Sequence, residues 1–170
     1  MDTELKETTI MVVDDVLVNL KILQNMLQTR GYGVLSFQDG RKALNAATEN
    51  PPDLILLDIM MPNMDGFEVC RHLKADDTLK DIPVLFISNL NETTDKVKAF
   101  SEGGVDYVSK PFQDEEVHAR VETHLRLRKM QLELNKYNQY LEELVQDKVR
   151  EISDSQHSTI VALANLAEHR

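Results

Sequence analysis

The fold of this chain is decided by the stretch Leu54-Ile55-Leu56-Leu57-Asp58-Ile59-Met60-Met61-Pro62-Asn63-Met64-Asp65-Gly66. Its first four residues are all apolar, which is typical of a strand buried on both faces of a parallel sheet. Asp58 ends the apolar run, and the Asp65-Gly66 pair marks a turn before an amphipathic stretch. A buried strand with a polar end, followed by a turn into a helix, indicates a βαβ unit.

Short apolar runs of this kind alternate with helical patterns along the first 125 residues. The predicted strands are Ile10–Val13, Val34–Phe37, Leu54–Leu57, Val84–Ile87 and Tyr107–Val108, and the predicted helices are 18–30, 40–49, 66–74 and 93–102. This alternation predicts right-handed βαβ units and a doubly wound α/β fold with a five-stranded parallel sheet. In such sheets the functional site lies beyond the carboxyl ends of the strands.

The composition restricts the classes of function. The 170 residues include 19 Lys and Arg against 29 Asp and Glu, a net charge of −10, and residues 1–125 carry all of that excess. This acidic part disfavours direct binding of nucleic acid or of an anionic membrane surface. No apolar run is long enough to span a bilayer. A lone cysteine, Cys70, excludes an internal disulfide and fits a reducing compartment, so we expect a cytoplasmic protein.

Acidic side chains end two of the predicted strands. Asp14 and Asp15 follow the first strand, and Asp58 follows the third, so all three are predicted at one edge of the sheet. Three neighbouring carboxylates are unfavourable unless a cation lies between them, and oxygen ligands suit Mg²⁺. Ser88 and Lys110 end two more strands at this edge. A metal, a carboxylate, a hydroxyl and an ammonium at one point are the groups that a phosphoryl group requires. The alternative is that the acidic residues only cap helices.

Four motifs resemble those of the response-regulator receiver domain. They are Val12–Asp15, Leu56–Gly66, Ser109–Phe112 and, less distinctively, Phe37–Leu44, and together they extend the resemblance over roughly residues 8–125. The resemblance implies the strand order 2-1-3-4-5, with helices on both faces of the sheet. It also implies that the domain takes its phosphoryl group from a histidine kinase.

The resemblance assigns roles to the acidic cluster. Asp58 is the implied nucleophile, which forms an acyl phosphate. Asp15 and Asp58 are the implied Mg²⁺ ligands, together with the backbone carbonyl of Met60, and Asp14 would bind the metal directly or through water. Because Met60 and Leu90 are both apolar, we also expect the phosphoryl group to be long-lived.

The resemblance also assigns roles to the remaining strand ends. Lys110 would pair with a phosphoryl oxygen, and its bond to Pro111 is expected to be cis. Ser88 would hydrogen-bond a second phosphoryl oxygen. Tyr107 would be the aromatic residue that changes rotamer when Ser88 moves. The alternative for Tyr107 is an ordinary half-buried aromatic residue of a strand.

The sequence changes character after about residue 114. No Pro or Gly follows Pro111, so one helix is predicted from 114 to at least 152. Apolar residues recur within it at the a and d positions of a coiled coil: Leu127, Met130, Leu134, Tyr137, Leu141 and Leu144. After Leu144 a one-residue register shift is needed to keep the seam apolar. The seam predicts a homodimer, and the alternative is a helix that packs back on its own domain.

These patterns predict three parts: a receiver domain at 1–125, a coiled-coil linker at 126–152 and the start of a truncated output domain at 153–170. The stretch from Ser155 to Arg170 resembles the helix that opens HD-GYP domains, which are metal-dependent phosphodiesterases of cyclic di-GMP. A diguanylate cyclase is the alternative output.

For this chain itself we expect a self-phosphorylating signalling domain rather than a metabolic enzyme. One alternative is a Mg²⁺-dependent phosphatase with an aspartyl nucleophile, but that class requires an Asp where Met60 stands. Another is a coiled-coil scaffold with an inactive receiver, which the complete set of Asp14, Asp15, Asp58, Ser88 and Lys110 disfavours.

Overall fold

Strands and helices alternate along the chain, as the apolar pattern predicts. The computed structural model describes residues 8–89 and 93–168. Its elements are β1 (Thr9–Val13), α1 (Leu17–Thr29), β2 (Gly33–Phe37), α2 (Gly40–Glu49), β3 (Leu54–Asp58), α3 (Gly66–Ala75), β4 (Val84–Ser88), α4 (Thr93–Ser101), β5 (Asp106–Ser109) and α5 (Asp114–Glu168). The strands and helices expected from the sequence are all present, with bounds that differ by one or two residues.

The five strands form one parallel sheet in the order β2-β1-β3-β4-β5, which confirms the predicted topology. In the register of the sheet, Val13 lies beside Leu57, and Asp58 lies beside Ile87. The carboxyl ends of β1, β3, β4 and β5 therefore meet at one edge, since parallel strands all end on the same side.

Both faces of the sheet are covered by helices. On β1, Ile10 and Val12 pack with residues of α1 and α5, whereas Met11 and Val13 pack with residues of α2 and α3. All five residues of β3 are buried. Because full burial of a large apolar side chain is worth about 1.5–3 kcal/mol, strands buried on both faces contribute heavily to stability. This explains why these strands are apolar without alternation.

Two strands extend one residue further than the apolar runs suggested. Asp58 pairs with Ile87 as the last residue of β3, and Ser88 pairs with Ser109 as the last residue of β4. Both polar residues are held by the backbone ladder of the sheet rather than by a flexible loop. Their side chains are accordingly fixed at the carboxyl edge.

Turn chemistry sets the starts of α2 and α3. The side chain of Asp39 accepts a hydrogen bond from the backbone N–H of Lys42, and Asp65 accepts one from Glu68. Both aspartates are N-caps, which is a preferred role of this residue type. A side chain at Gly66 would fall against the backbone carbonyl of Asp58, so only glycine permits this close approach of α3 to β3.

The chain divides into two units, one up to Arg128 and one from Lys129 onward. The Arg128 guanidinium donates a hydrogen bond to the backbone carbonyl of Asp81, at 2.7 Å. In the second unit, every described residue from Lys129 to Glu168 is exposed to solvent. The α5 helix is unbroken from Asp114 to Glu168, in agreement with the absence of Pro and Gly. None of the described helices is long and apolar enough to cross a membrane.

Candidate functional site

Three carboxylates converge at the carboxyl edge of the sheet. Asp14 and Asp15 directly follow β1, and Asp58 ends β3; each contributes an oxygen to a group whose members lie within 4.8 Å of one another. Asp14 is fully buried and Asp58 is only 3% exposed, whereas Asp15 is half-buried. The structure thus brings together the three acidic residues that the sequence placed at this edge.

Lys110 is the cation that faces this cluster. Its Nζ lies 3.2 Å from Asp14 Oδ2 and 3.3 Å from Asp58 Oδ2. The residue follows β5, and its backbone N–H donates a hydrogen bond to the carbonyl of Ser88. The Lys110–Pro111 peptide bond is cis, as expected. One ammonium group therefore contacts both of the buried carboxylates.

Asp14 is held in place by two further donors. Its Oδ1 accepts a hydrogen bond from the backbone N–H of Val16 at 2.8 Å, and its Oδ2 accepts one from Asn19 Nδ2 at 3.0 Å. Val16 is the N-cap residue of α1 and makes no capping bond with its side chain. Asp14 is therefore not an N-cap, and the capping alternative applies instead to Asp39 and Asp65. Asn19 was not identified from the sequence. The available signal was a polar residue in the first turn of the helix that follows a strand-end Asp.

The electrostatics of the cluster disfavour the charged form of Asp58. Burial, and secondly the charge of Asp14, raise the pKa of this carboxyl to about 6. The Lys110 ammonium and a backbone hydrogen bond from Met60 oppose this increase without cancelling it. Three carboxylates with one ammonium leave an excess of negative charge, so the donor set fits a hard divalent cation with oxygen ligands.

Ser88 and Met60 complete the predicted set of site residues. Ser88 is 4% exposed and ends β4, the strand beside Asp58. The Met60 side chain is 77% exposed, so it borders the solvent side of this edge. Leu90, the other residue invoked for the phosphoryl lifetime, lies outside the described residues. The long lifetime remains a prediction.

Tyr107 lies on β5 and is half-buried. Its ring meets that of Phe100 edge-on, with centroids 6.4 Å apart. Two cations approach the same ring: Lys96 Nζ at 4.7 Å from the centroid and Arg120 Cζ at 5.4 Å. Groups from α4 and α5 therefore contact one aromatic residue on β5.

A charged network beside Tyr107 was missed from the sequence. Arg120 Nη1 lies 2.6 Å from Asp106 Oδ1, and His124 Nε2 lies 3.0 Å from Asp106 Oδ2. Arg120 also pairs with Glu116 one helical turn earlier. Burial opposes ionisation of Asp106, but hydrogen bonds from the backbone N–H of Tyr107 and from His124 and Arg120 lower the pKa of this carboxyl. Only the i, i+4 pair of Glu116 and Arg120 carries a signal in the sequence.

The fold and this edge define a class of protein. The family model of the response regulator receiver domain matches residues 10–122, and the chain belongs to this family. The chemotaxis protein CheY4 of Vibrio cholerae has the same fold: its structure aligns with a TM-score of 0.66 at 27% identity and covers 69% of this chain and 98% of that one.

Two curated relatives extend the comparison. The response regulator PleD of Caulobacter vibrioides is 42% identical over 119 residues, which are 70% of this chain and 26% of PleD. A Vibrio cholerae protein named as a probable cyclic di-GMP phosphodiesterase is 35% identical over 167 residues, which are 98% of this chain and 38% of that protein. The chain thus spans well under half the length of either relative.

The buried charge of Asp58 leads to a prediction about stability. Without divalent metal at pH 7.5, Asp58→Asn should raise the free energy of unfolding by about 3 kcal/mol, because the folded state no longer holds an ionised carboxylate whose pKa is raised to about 6. The gain should disappear as the pH falls from about 6 to 3.8, where wild-type Asp58 becomes protonated in both states. Urea denaturation in EDTA measures both effects.

A suitable control is Asp39→Asn, which removes the same charge from a partly exposed N-cap. Asparagine caps a helix as well as aspartate does, so this variant should change stability by less than about 0.5 kcal/mol. Equal effects of the two substitutions would show that the burial of Asp58 is not the cause.

Proposed function

We propose that this chain is the phosphorylation-controlled input of a response regulator. In this proposal, Asp58 takes a phosphoryl group from a histidine kinase in the cytoplasm, and α5 relays the change through a homodimer to an output domain. The observation that carries the proposal is the buried Asp58 carboxylate, which has two acidic neighbours on one side and the Lys110 ammonium on the other.

We assign the metal site to the carboxylates of Asp14, Asp15 and Asp58 and to the backbone carbonyl of Met60. The cluster supports this assignment because it combines hard oxygen donors with uncompensated negative charge. When bound there, Mg²⁺ would supply positive charge to balance that of the phosphoryl oxygens.

In the proposed reaction, a carboxylate oxygen of Asp58 forms a bond to phosphorus while the bond between phosphorus and the donor imidazole nitrogen breaks. Lys110 pairs with a phosphoryl oxygen, and its contacts with Asp14 and Asp58 support this role. The Ser88 hydroxyl donates to another phosphoryl oxygen. The phosphoryl group adds a charge of about −1.5 to −2 to a largely buried site. This charge attracts the Lys110 ammonium and the Ser88 hydroxyl.

We assign the switch to Ser88 and Tyr107. When the Ser88 hydroxyl turns toward the phosphoryl group, space opens beside β4 for a change in the Tyr107 rotamer. Such a change would alter the ring contacts of Tyr107 with Phe100, Lys96 and Arg120, and so the surface formed by α4 and α5.

The first test of this function is phosphorylation of the purified chain. Incubation with acetyl phosphate and Mg²⁺ should add one phosphoryl group by intact mass, and EDTA or Asp58→Ala should abolish the addition. Asp77→Ala, which removes an exposed carboxylate elsewhere, serves as the matched control and should leave the addition unchanged. Labelling that persists in Asp58→Ala would contradict the assignment.

Lys110→Ala should still accept phosphoryl slowly but lose any conformational response.

We propose that a second copy covers the exposed seam of α5. The seam residues are 38–59% exposed at Leu127, Met130, Leu134, Tyr137, Leu141 and Leu144. An isolated helix gains little from propensity alone, so a seam of this length is stabilised by a partner helix. We propose a parallel pair, because both receivers then lie at one end and both outputs at the other.

The seam can be tested by paired charge substitutions. Leu134→Asp together with Leu141→Asp should convert the dimer to a monomer in multi-angle light scattering at tens of micromolar protein, because a coiled-coil seam does not accommodate paired carboxylates. Gln139→Asp together with Gln146→Asp adds the same charge away from the seam and should leave the dimer intact. A wild-type monomer, or a dimer that survives the seam variant, would refute the interface.

For the whole protein we propose a cyclic di-GMP phosphodiesterase output of the HD-GYP type. The relative named as a probable phosphodiesterase supports this choice, because its similarity extends over 98% of the chain and so includes α5, whereas similarity to PleD extends over 70%. The full-length protein should hydrolyse cyclic di-GMP with a transition metal bound, and the 170-residue chain should not. A continuation containing Gly-Gly-Asp-Glu-Phe instead of His-Asp and Gly-Tyr-Pro would identify a diguanylate cyclase.

A further inference from the structure

The seven-residue pattern of α5 does not continue past Leu144. Extended toward the C-terminus, its a and d positions fall on Lys148, Glu151, Ser155, Ser158, Ala162 and Asn165. Each of these residues is charged, polar or small. A coiled coil that kept this register would therefore lose its apolar seam for the remainder of the helix.

Larger apolar residues follow a different spacing in the same part of α5. Steps of four, four and three residues connect Leu141, Val145, Val149, Ile152, Gln156, Ile160, Leu163 and Ala167. This spacing repeats every eleven residues, or about 3.67 residues per turn. The five large apolar members beyond Leu141 are 57–64% exposed, so the chain itself does not cover them.

The repeat forms a narrow stripe along the helix. On a straight helix with 3.6 residues per turn the eight positions span about 100°, and they fall within about 65° when the helix is wound to 3.67 residues per turn. A helix that packs on a globular surface carries an apolar face about 100° wide or more, whereas a coiled-coil seam is narrower. The eight positions therefore form a coiled-coil seam only in a wound helix, and this winding requires a partner helix.

The continuity of the stripe with the proposed seam favours a second copy as that helix. Residues 142–167 carry five acidic and two basic side chains, a smaller excess of acidic residues than in the receiver. Lys148 and Glu151, which interrupt the seven-residue pattern, pair with each other in the same chain at 2.6 Å. The stripe is continuous with the proposed seam through Leu141, so the copy that covers the seam also reaches the stripe, and the apolar contacts there must outweigh a small like-charge repulsion.

We infer that the coiled coil of α5 has two segments with different winding. From Leu127 to Leu141 two copies pair through seven-residue repeats, which wind to the left. From Leu141 to Ala167 the same two copies pair through the eleven-residue repeat, which winds straight or to the right. The inference rests on the proposed dimer and identifies the residues that continue it.

Disulfide cross-linking distinguishes the two registers. In a Cys70→Ala background, single cysteines are introduced by Ile160→Cys, Leu163→Cys, Ser158→Cys and Ala162→Cys. The first two positions lie in the eleven-residue stripe, and the last two lie in the extended seven-residue seam on the far side of the helix. Under mild oxidation the first pair should form linked dimers at least about tenfold faster than the second, because a disulfide requires Cβ atoms about 4 Å apart.

Leu134→Cys serves as the reference, because this position lies in the seam under either register. Suppose that Leu134→Cys cross-links, and that Ser158→Cys and Ala162→Cys cross-link faster than Ile160→Cys and Leu163→Cys. The dimer is then correct, and the eleven-residue segment is wrong. If Leu134→Cys cross-links and none of the four later positions does, the helices separate after Leu144 and the inference is again overturned. If Leu134→Cys fails to cross-link and light scattering shows a monomer, the proposed dimer itself is wrong.

Discussion

Two buried carboxylates that share one ammonium group are the constraint around which the receiver is built. Asp14 and Asp58 lie at the ends of neighbouring strands, and Lys110 reaches both from the end of β5. Burial of like charges is costly, and one lysine does not remove the cost, as the raised pKa of Asp58 shows. The side chains of the site thereby carry an excess of negative charge, a property suited to recruiting a cation and then a phosphoryl group.

The sheet provides the rigidity that this arrangement requires. Asp58 and Ser88 are the last paired residues of adjacent strands, and Gly66 permits α3 to begin directly against the carbonyl of Asp58. Packing on both faces fixes the strands, so the cost of holding charged groups together is met by the apolar core. Small movements at the edge are then transmitted to neighbouring side chains, because a close-packed interior does not absorb them.

The second unit follows different physical rules. Every described residue from Lys129 to Glu168 is exposed, and the apolar residues form a stripe rather than a core. Such a helix contributes nothing to the receiver core and is suited to pairing with a copy of itself. A change from a seven-residue to an eleven-residue repeat would divide the helix into two segments with different winding, although no Pro or Gly interrupts it.

The sequence by itself determined the topology and most of the acidic cluster. Continuous apolar runs specify strands buried on both faces, and polar strand ends at Asp14, Asp58 and Lys110 must share an edge once the strands are parallel. Only the tertiary structure decided which aspartates cap helices and which do not, because Asp14, Asp39 and Asp65 all precede helices and only Asp39 and Asp65 cap them.

The partners of Asp14 and Asp106 also required the tertiary structure. Asn19 and Arg120 were missed because a hydrogen bond depends on the direction of a side chain, which packing between elements sets and a pattern of residue types does not encode. For the same reason the contact of Lys110 with both Asp14 and Asp58 was not evident from the spacing, because it depends on how three strand ends are placed in space.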